Sequence, residues 1–130
     1  MAYLAGLILG MVALVGAQAG LPTEPPANSL LKAPVLGASR KPPVHFSHRL
    51  HEARGVACTQ CHHEYKGRRN VWHQGLPVQK CEACHGPRPQ ARRLDAKNAF
   101  HRQCKGCHLR FQQQGRQTGP IKCQGCHRST

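Results

Sequence analysis

Four copies of the pattern Cys-x-x-Cys-His constrain this chain of 130 residues more strongly than any other feature. Their first cysteines are Cys58, Cys81, Cys104 and Cys123. Cys-x-x-Cys-His is the attachment signature of c-type haem, in which both thiols bond to the porphyrin edge and the histidine becomes a ligand of the iron. The spacings of 23, 23 and 19 residues predict a loose repeat with one haem in each unit.

The predicted cofactors are four covalently attached haem c groups, which use all eight cysteines. The attachment cysteines are Cys58, Cys61, Cys81, Cys84, Cys104, Cys107, Cys123 and Cys126. The proximal iron ligands are His62, His85, His108 and His127. Zinc knuckles and disulfide scaffolds also use paired cysteines, but neither requires a histidine directly after every second cysteine. Haem is therefore the favoured interpretation.

Each iron also needs a distal ligand, and six of the ten histidines remain for these positions. Methionine is excluded, because Met1 and Met11 both lie in the N-terminal leader. The expected distal ligands are His48, His51, His63 and His101. The other two histidines, expected to be surface residues, are His45 and His73.

The spacing of these histidines restricts which haem each one can serve. His62 and His63 are adjacent and their side chains diverge, so His63 is expected to serve a neighbouring haem. His48 and His51 are three residues apart, so they would share one face if this stretch is helical and would then serve two different haems. His101 precedes the third proximal histidine by seven residues and is co-facial with it on a helix, so it is expected to serve another haem. All three relationships require haems that lie close together.

Apolar side chains are sparse after residue 20, and a small domain of this kind needs stabilisation beyond its own core. Buried porphyrins would supply it. The best helix candidate is 90–114, whereas glycine and proline interrupt most of the rest. The predicted fold class is a small multihaem cytochrome fold, mostly irregular chain with a few short α-helices wrapped around four haems.

The chain divides into three predicted parts. Residues 1–19 form an uncharged apolar run ending in Ala-Gln-Ala, which indicates a signal peptide or, alternatively, a retained N-terminal anchor. Residues 20–43 are rich in proline and predict an extended linker. Residues 44–130 are the predicted haem domain. We expect a periplasmic protein, because c-type haem is attached outside the cytoplasmic membrane, with membrane association only if the leader is retained.

These residues resemble the class III cytochromes c, the tetrahaem family of sulfate-reducing and related bacteria. The resemblance spans about Val44–His127, and its most specific part is F-x-H-x-x-H from Phe46 followed by C-x-x-C-H-H from Cys58. It implies that Phe46 packs on haem one. It also implies one histidine pair for each haem, in the order His48 with His62, His63 with His85, His51 with His108, and His101 with His127.

The expected function is that of an electron carrier rather than an enzyme, with four low-potential bis-histidine haems and no iron left open for substrate. The expected partners are redox proteins, either a hydrogenase-like donor or a membrane redox complex. Two alternatives remain. One is a multihaem reductase with an open haem iron, and the other is a haem subunit of a membrane redox complex.

The net charge of +14 indicates a basic surface, although haem propionates offset part of it. Basic residues around the third and fourth motifs are predicted to form a docking face, or to pair with propionates. They are Arg102, Lys105, Arg110, Arg116, Lys122 and Arg128. Nucleic acid is not an expected partner, because the chain has no motif that reads it.

Overall fold

The structure is a computed structural model that describes residues 24–129, so the predicted leader, residues 1–19, lies outside the described residues. The strands are β1 (Asn28–Leu31), β2 (Val44–Ser47), β3 (Tyr65–Lys66) and β4 (Arg69–Asn70). The α-helices are α1 (His48–Ala53), α2 (Ala96–Gln113) and α3 (Cys123–Cys126). Single 3-10 turns cover Pro34–Leu36, Cys58–Gln60 and Cys81–Ala83.

The polypeptide forms almost no core of its own. Within residues 24–129, the buried residues are Trp72, Ala96 and Asp95. Leucines such as Leu30 and Leu50 remain exposed. This agrees with the sparse apolar composition, since burial of apolar surface is the main force that stabilises a fold. Across the same residues, no helix is both long and apolar enough to cross a membrane.

β1 lies inside the stretch 20–43, for which the sequence predicts a linker. It pairs antiparallel with β2, and Asn28 lies opposite Ser47. The hydroxyl of Ser47 also donates a hydrogen bond to the carbonyl of Ala27 at 3.3 Å. The folded region therefore begins upstream of the expected boundary at Val44. Pairing between two short strands uses backbone groups, so the proline-rich composition carried no sign of it.

The predicted helix over 90–114 is present but begins later, because α2 spans Ala96–Gln113. Its start is set by Asp95, whose carboxylate accepts a hydrogen bond from the backbone N–H of Asn98 at 3.0 Å. Gly115, with a φ of 66°, follows the helix end in the left-handed conformation that favours glycine. This helix carries the third attachment motif and one predicted distal ligand.

The other three attachment motifs form single tight turns. The backbone N–H of each motif histidine donates to the carbonyl of the first cysteine, at 2.8 Å for His62, 2.9 Å for His85 and 2.8 Å for His127. This is the bond pattern of one α-helical turn, which places the side chains of residues i and i+4 on one face. Each motif therefore presents its first cysteine and its histidine to the same side.

Candidate haem sites

The eight predicted iron ligands come together as four pairs of imidazole rings. The ring centroids are 6.4 Å apart for His48 and His62, 6.1 Å for His63 and His85, 6.2 Å for His51 and His108, and 6.5 Å for His101 and His127. Bonds between a metal and an imidazole nitrogen are about 2 Å long. Rings at these separations can therefore hold one metal atom between them, so the residues fit the iron of a haem.

The four pairs fall into two classes by the angle between the ring planes. The planes are nearly parallel for His48 and His62, at 9°, and for His51 and His108, at 21°. They are nearly perpendicular in the pair that contains His85, at 79°, and in the pair that contains His127, at 89°. This angle changes when either ring rotates about the line that joins the two rings, and such a rotation leaves the distance between them unchanged. Pairs of both classes can therefore bind one metal atom between their rings.

Backbone carbonyls orient five of these eight rings. A carbonyl only accepts, so each Nδ1 carries the hydrogen and Nε2 keeps the lone pair that can bind a metal. The bonds run from Nδ1 of His48 to Pro26 at 2.8 Å, His51 to Ser47 at 2.7 Å, His85 to Leu94 at 2.8 Å, His108 to Pro120 at 2.9 Å, and His127 to Pro42 at 2.7 Å. Such bonds fix the tautomer and raise the basicity of the ligand.

Two of these acceptors, Pro26 and Pro42, belong to the predicted linker. The sequence did not reveal their role, because a backbone carbonyl is present at every residue and leaves no side-chain signature. The segment 26–43 thus contacts His48 at one end and His127 at the other. It contributes to two of the four histidine pairs.

The ring of His108 packs against the loop that follows α2. A Cβ atom added at Gly119 would lie 2.5 Å from the Cε1 atom of this ring, closer than real Cβ contacts allow. Pro120, the next residue, accepts the hydrogen bond from Nδ1 of His108 at 2.9 Å. Only glycine lets the backbone approach the ring this closely.

Three aromatic side chains pack against predicted ligand histidines. The ring of Phe46 lies 4.7 Å from that of His48 and 4.6 Å from that of His51, measured between centroids. Tyr65 lies 5.1 Å from His63. The single tryptophan, Trp72, lies 5.0 Å from His62. The sequence predicted a role for Phe46 but none for Trp72, although a lone tryptophan in so polar a chain was a usable signal.

None of the eight cysteines, all of which lie within residues 24–129, forms a disulfide with another. Before haem is attached, burial raises the pKa of the Cys61 thiol and raises the pKa of the Cys104 thiol to about 11. Within residues 24–129, no three His, Cys, Asp or Glu side chains converge on one point. The zinc interpretation therefore lacks a ligand set in the described chain.

Burial, followed by the neighbouring His48 and His63, lowers the pKa of the His62 imidazole. This ring is therefore neutral at neutral pH, which is the form that binds a metal. The two histidines expected to be bystanders, His45 and His73, are exposed and belong to none of the four pairs described above. Nδ1 of His73 donates instead to the carbonyl of its neighbour Gln74 at 2.9 Å.

Comparisons with known proteins point to one family. A family model described as the class III cytochrome C family matches residues 26–127. Cytochrome c3 of Maridesulfovibrio salexigens is 36% identical over 113 residues, which cover 80% of this chain and 95% of that protein. Cytochrome c3 of Desulfovibrio desulfuricans is 32% identical over 112 residues, with coverages of 80% and 96%.

The fold is also found among solved structures. The crystal structure of the di-tetraheme cytochrome c3 from Desulfovibrio gigas matches with a TM-score of 0.51 and 28% sequence identity. The match covers 80% of this chain and 97% of that chain. The family model begins at residue 26, so it includes most of the stretch that the sequence predicted to be a linker, in agreement with β1.

Proposed function

This chain belongs to the class III cytochrome c family, and we propose that it is a periplasmic carrier that passes electrons between redox partner proteins through four low-potential bis-histidine haems. The predicted family, the predicted multihaem cytochrome fold and the four covalently attached haem c groups are confirmed by the comparisons. It is a multihaem electron-transfer protein of a family that acts with redox partners.

The observation that carries the proposal is the set of four histidine pairs. We assign each pair to the two axial positions of one haem, and the cysteines of each motif to its thioether bonds. An iron with two imidazole ligands has no position for a substrate. Closed irons support an electron carrier over a reductase, which needs at least one open or weakly capped iron.

The haems, when bound, supply reversible one-electron chemistry, and the residues of this chain set their ligands, spacing and exposure. Bis-histidine ligation gives haem iron a lower reduction potential than Met/His ligation does. The Nδ1–H bonds to carbonyls make the imidazoles stronger donors, which favours the oxidised iron. Both features support low potentials.

Close spacing of the haem sites is supported by ligands of different pairs that share one short segment. His48 and His51 both lie on α1, three residues apart, and belong to different pairs. His62 and His63 are adjacent and also belong to different pairs. Two haems whose ligands are this near in the chain lie close in space, as passage of electrons between them requires.

A basic docking face is the proposed contact with acidic redox partners, either a hydrogenase-like donor or a membrane redox complex. The six residues predicted from the sequence are all exposed: Arg102, Lys105, Arg110, Arg116, Lys122 and Arg128. Two of them also make contacts within the chain. The guanidinium of Arg116 lies 3.8 Å from the ring centroid of Phe111, and Arg128 donates to the carbonyl of Gly125 at 3.0 Å.

The test is the visible spectrum of the full chain, matured with haem, reduced with dithionite, before and after carbon monoxide. Sharp low-spin bands that the gas leaves unchanged are expected, because each iron already has two imidazoles. His48→Ala should open one iron and produce a carbon monoxide shift, whereas His73→Ala should not. A shift in the unaltered protein would contradict the carrier and favour the reductase.

A further inference from the structure

Trp72 is the largest side chain that the polypeptide itself buries. It is 8% exposed, and the other buried residues of 24–129 are the much smaller Ala96 and Asp95. Its ring lies against that of His62, with the centroids 5.0 Å apart and the planes inclined by 40°. In a chain with so little core, the one tryptophan is therefore used to cover a single ligand histidine.

Asn70 holds this contact in place through three backbone groups. Its Oδ1 accepts hydrogen bonds from the backbone N–H of Glu64 at 2.9 Å and of Trp72 at 3.1 Å. Its Nδ2 donates to the carbonyl of His62 at 3.3 Å. At the far end, the indole N–H donates to the carbonyl of Pro77 at 3.2 Å. The indole cannot turn away from the imidazole without breaking a hydrogen bond in a buried setting.

The two rings of this pair are oriented by different means. His48 is held by the hydrogen bond from its Nδ1 to the carbonyl of Pro26. For His62 the chain provides the indole face instead, and the two imidazole planes are within 9° of each other. A flat aromatic wall restricts rotation of an imidazole about its Cβ–Cγ bond, because rotation would drive the ring edge into the wall.

We propose that Trp72, anchored by Asn70, is a positioning residue that fixes the imidazole plane of His62 and keeps it parallel to that of His48. The proposal rests on the proposed assignment of these two histidines to haem one. The angle between the axial planes sets the splitting of the iron d orbitals that interact with the imidazoles. It is therefore visible in the electron paramagnetic resonance (EPR) spectrum of the oxidised protein, independently of electron-transfer activity.

The experiment compares two substitutions at this position in the full, haem-loaded chain. Trp72→Leu removes the aromatic wall, and Trp72→Phe keeps a smaller one. Parallel imidazole planes produce a rhombic EPR signal, and we expect Trp72→Leu to lose the part of this signal that comes from haem one. We also expect the reduction potential of that haem to shift. Trp72→Phe should restore most of that signal. Haem content and the visible spectrum are measured on each sample, to confirm that all four haems are attached and low-spin.

Tyr65→Leu is the matched control, since Tyr65 also lies against a ligand histidine, His63, but is 62% exposed. This variant should leave the haem-one signal unchanged. Asn70→Ser gives a second approach if Trp72→Leu yields no holoprotein, because it removes the amide that donates to the carbonyl of His62. We expect it to change the same signal in the same direction, by less.

The outcomes separate this inference from the proposed function. Low-spin, carbon monoxide-resistant haems with an unchanged EPR spectrum in Trp72→Leu would overturn the positioning role and leave the carrier intact. If that variant cannot be made, an unchanged spectrum in Asn70→Ser would overturn it equally. An open iron in the unaltered protein would instead overturn the proposed function.

Discussion

The carbonyl oxygen of Pro42 lies 2.7 Å from Nδ1 of His127, 85 residues further along the chain. This hydrogen bond joins the segment before β2 to the last attachment motif. It is the longest-range side-chain hydrogen bond found within residues 24–129. A segment that the sequence assigned to a linker therefore takes part in orienting a predicted iron ligand.

A more flexible backbone in the segment before β2 should change the reduction potential of one haem. Pro42→Gly keeps a carbonyl at the position but frees the backbone that aims it. We expect the reduction potential of the haem bound by His127 to rise, because an imidazole that loses its acceptor becomes a weaker donor. A redox titration followed in the visible spectrum measures the shift.

Pro34→Gly is the matched control for that substitution. Pro34 lies in the same segment, and its carbonyl accepts from the backbone of Gly37 at 2.9 Å rather than from a ligand histidine. This variant should gain similar backbone freedom and leave all four potentials unchanged. Equal shifts in both variants would show that the Pro42 bond has no specific effect.

Gly119→Ala should displace the ring of His108. The added Cβ would lie 2.5 Å from the ring, so either the ring or the loop must move. Overpacking of this kind costs about 1–3 kcal/mol in the free energy of unfolding. We also expect partial opening of haem three, seen as carbon monoxide binding by the reduced protein.

Gly106→Ala is the comparison for Gly119→Ala, since Gly106 lies in the attachment motif that contains His108. A Cβ there would meet only the Nη1 atom of Arg110, at 3.7 Å, an ordinary contact. Because alanine is the better helix former, this variant should be stabilised by up to about 1 kcal/mol. If both alanine variants unfold alike and neither binds carbon monoxide, the predicted crowding at His108 is refuted.

The oxidised protein should show two classes of EPR signal of equal total intensity. The pairs His48 with His62 and His51 with His108 have nearly parallel planes, at 9° and 21°, and should give rhombic signals. The other two pairs, at 79° and 89°, leave the relevant d orbitals nearly degenerate and should give signals with a larger maximum g value. A single class would contradict these ring orientations.

Acid should remove a stabilising contribution of Asp95. Hydrogen bonds from the backbone of Asn98, with further help from its side chain and from Lys97, lower the pKa of this carboxyl in the folded state. The carboxylate therefore stabilises the fold fully above the pKa of an unfolded aspartate, about 3.9, and this contribution disappears as pH falls through the folded-state pKa.

Asp95→Asn tests this dependence, since asparagine also caps helices but does not titrate. In denaturant unfolding, the variant should be less stable than the unaltered protein near neutral pH, and the difference should vanish in acid. Glu64→Gln, which removes an exposed carboxyl, controls for net charge. A difference that persists at low pH would contradict the role of the ionised carboxylate.

Removal of the haems should unfold the chain. With only Trp72 and Ala96 buried among the apolar residues of 24–129, the polypeptide has too little core to fold alone. Expression without the haem-maturation machinery should yield a chain with the far-ultraviolet circular dichroism of a random coil. Cooperative thermal unfolding of that apoprotein would show that the polypeptide folds without its cofactors.

Local patterns in the sequence predicted much of the candidate site. The attachment motifs act within five consecutive residues, so their chemistry is readable without a fold. His48 and His51 lie on one short helix, α1, which meets the condition under which their spacing places them on one face. The start of α2 was predicted six residues too early, because good helix formers continue upstream of the cap at Asp95.

The number and kind of cofactors, the supply of ligands and the shortage of apolar side chains for a core could all be predicted from the sequence. Covalent attachment and ligand type depend on side-chain identity at short spacing, and side-chain identity is what a sequence records. The folded arrangement was needed to show which carbonyls orient the ligands, that Trp72 covers His62, and at what angle the rings of each pair meet. These features depend on backbone atoms and ring orientations brought together from distant parts of the chain, and no residue type encodes them.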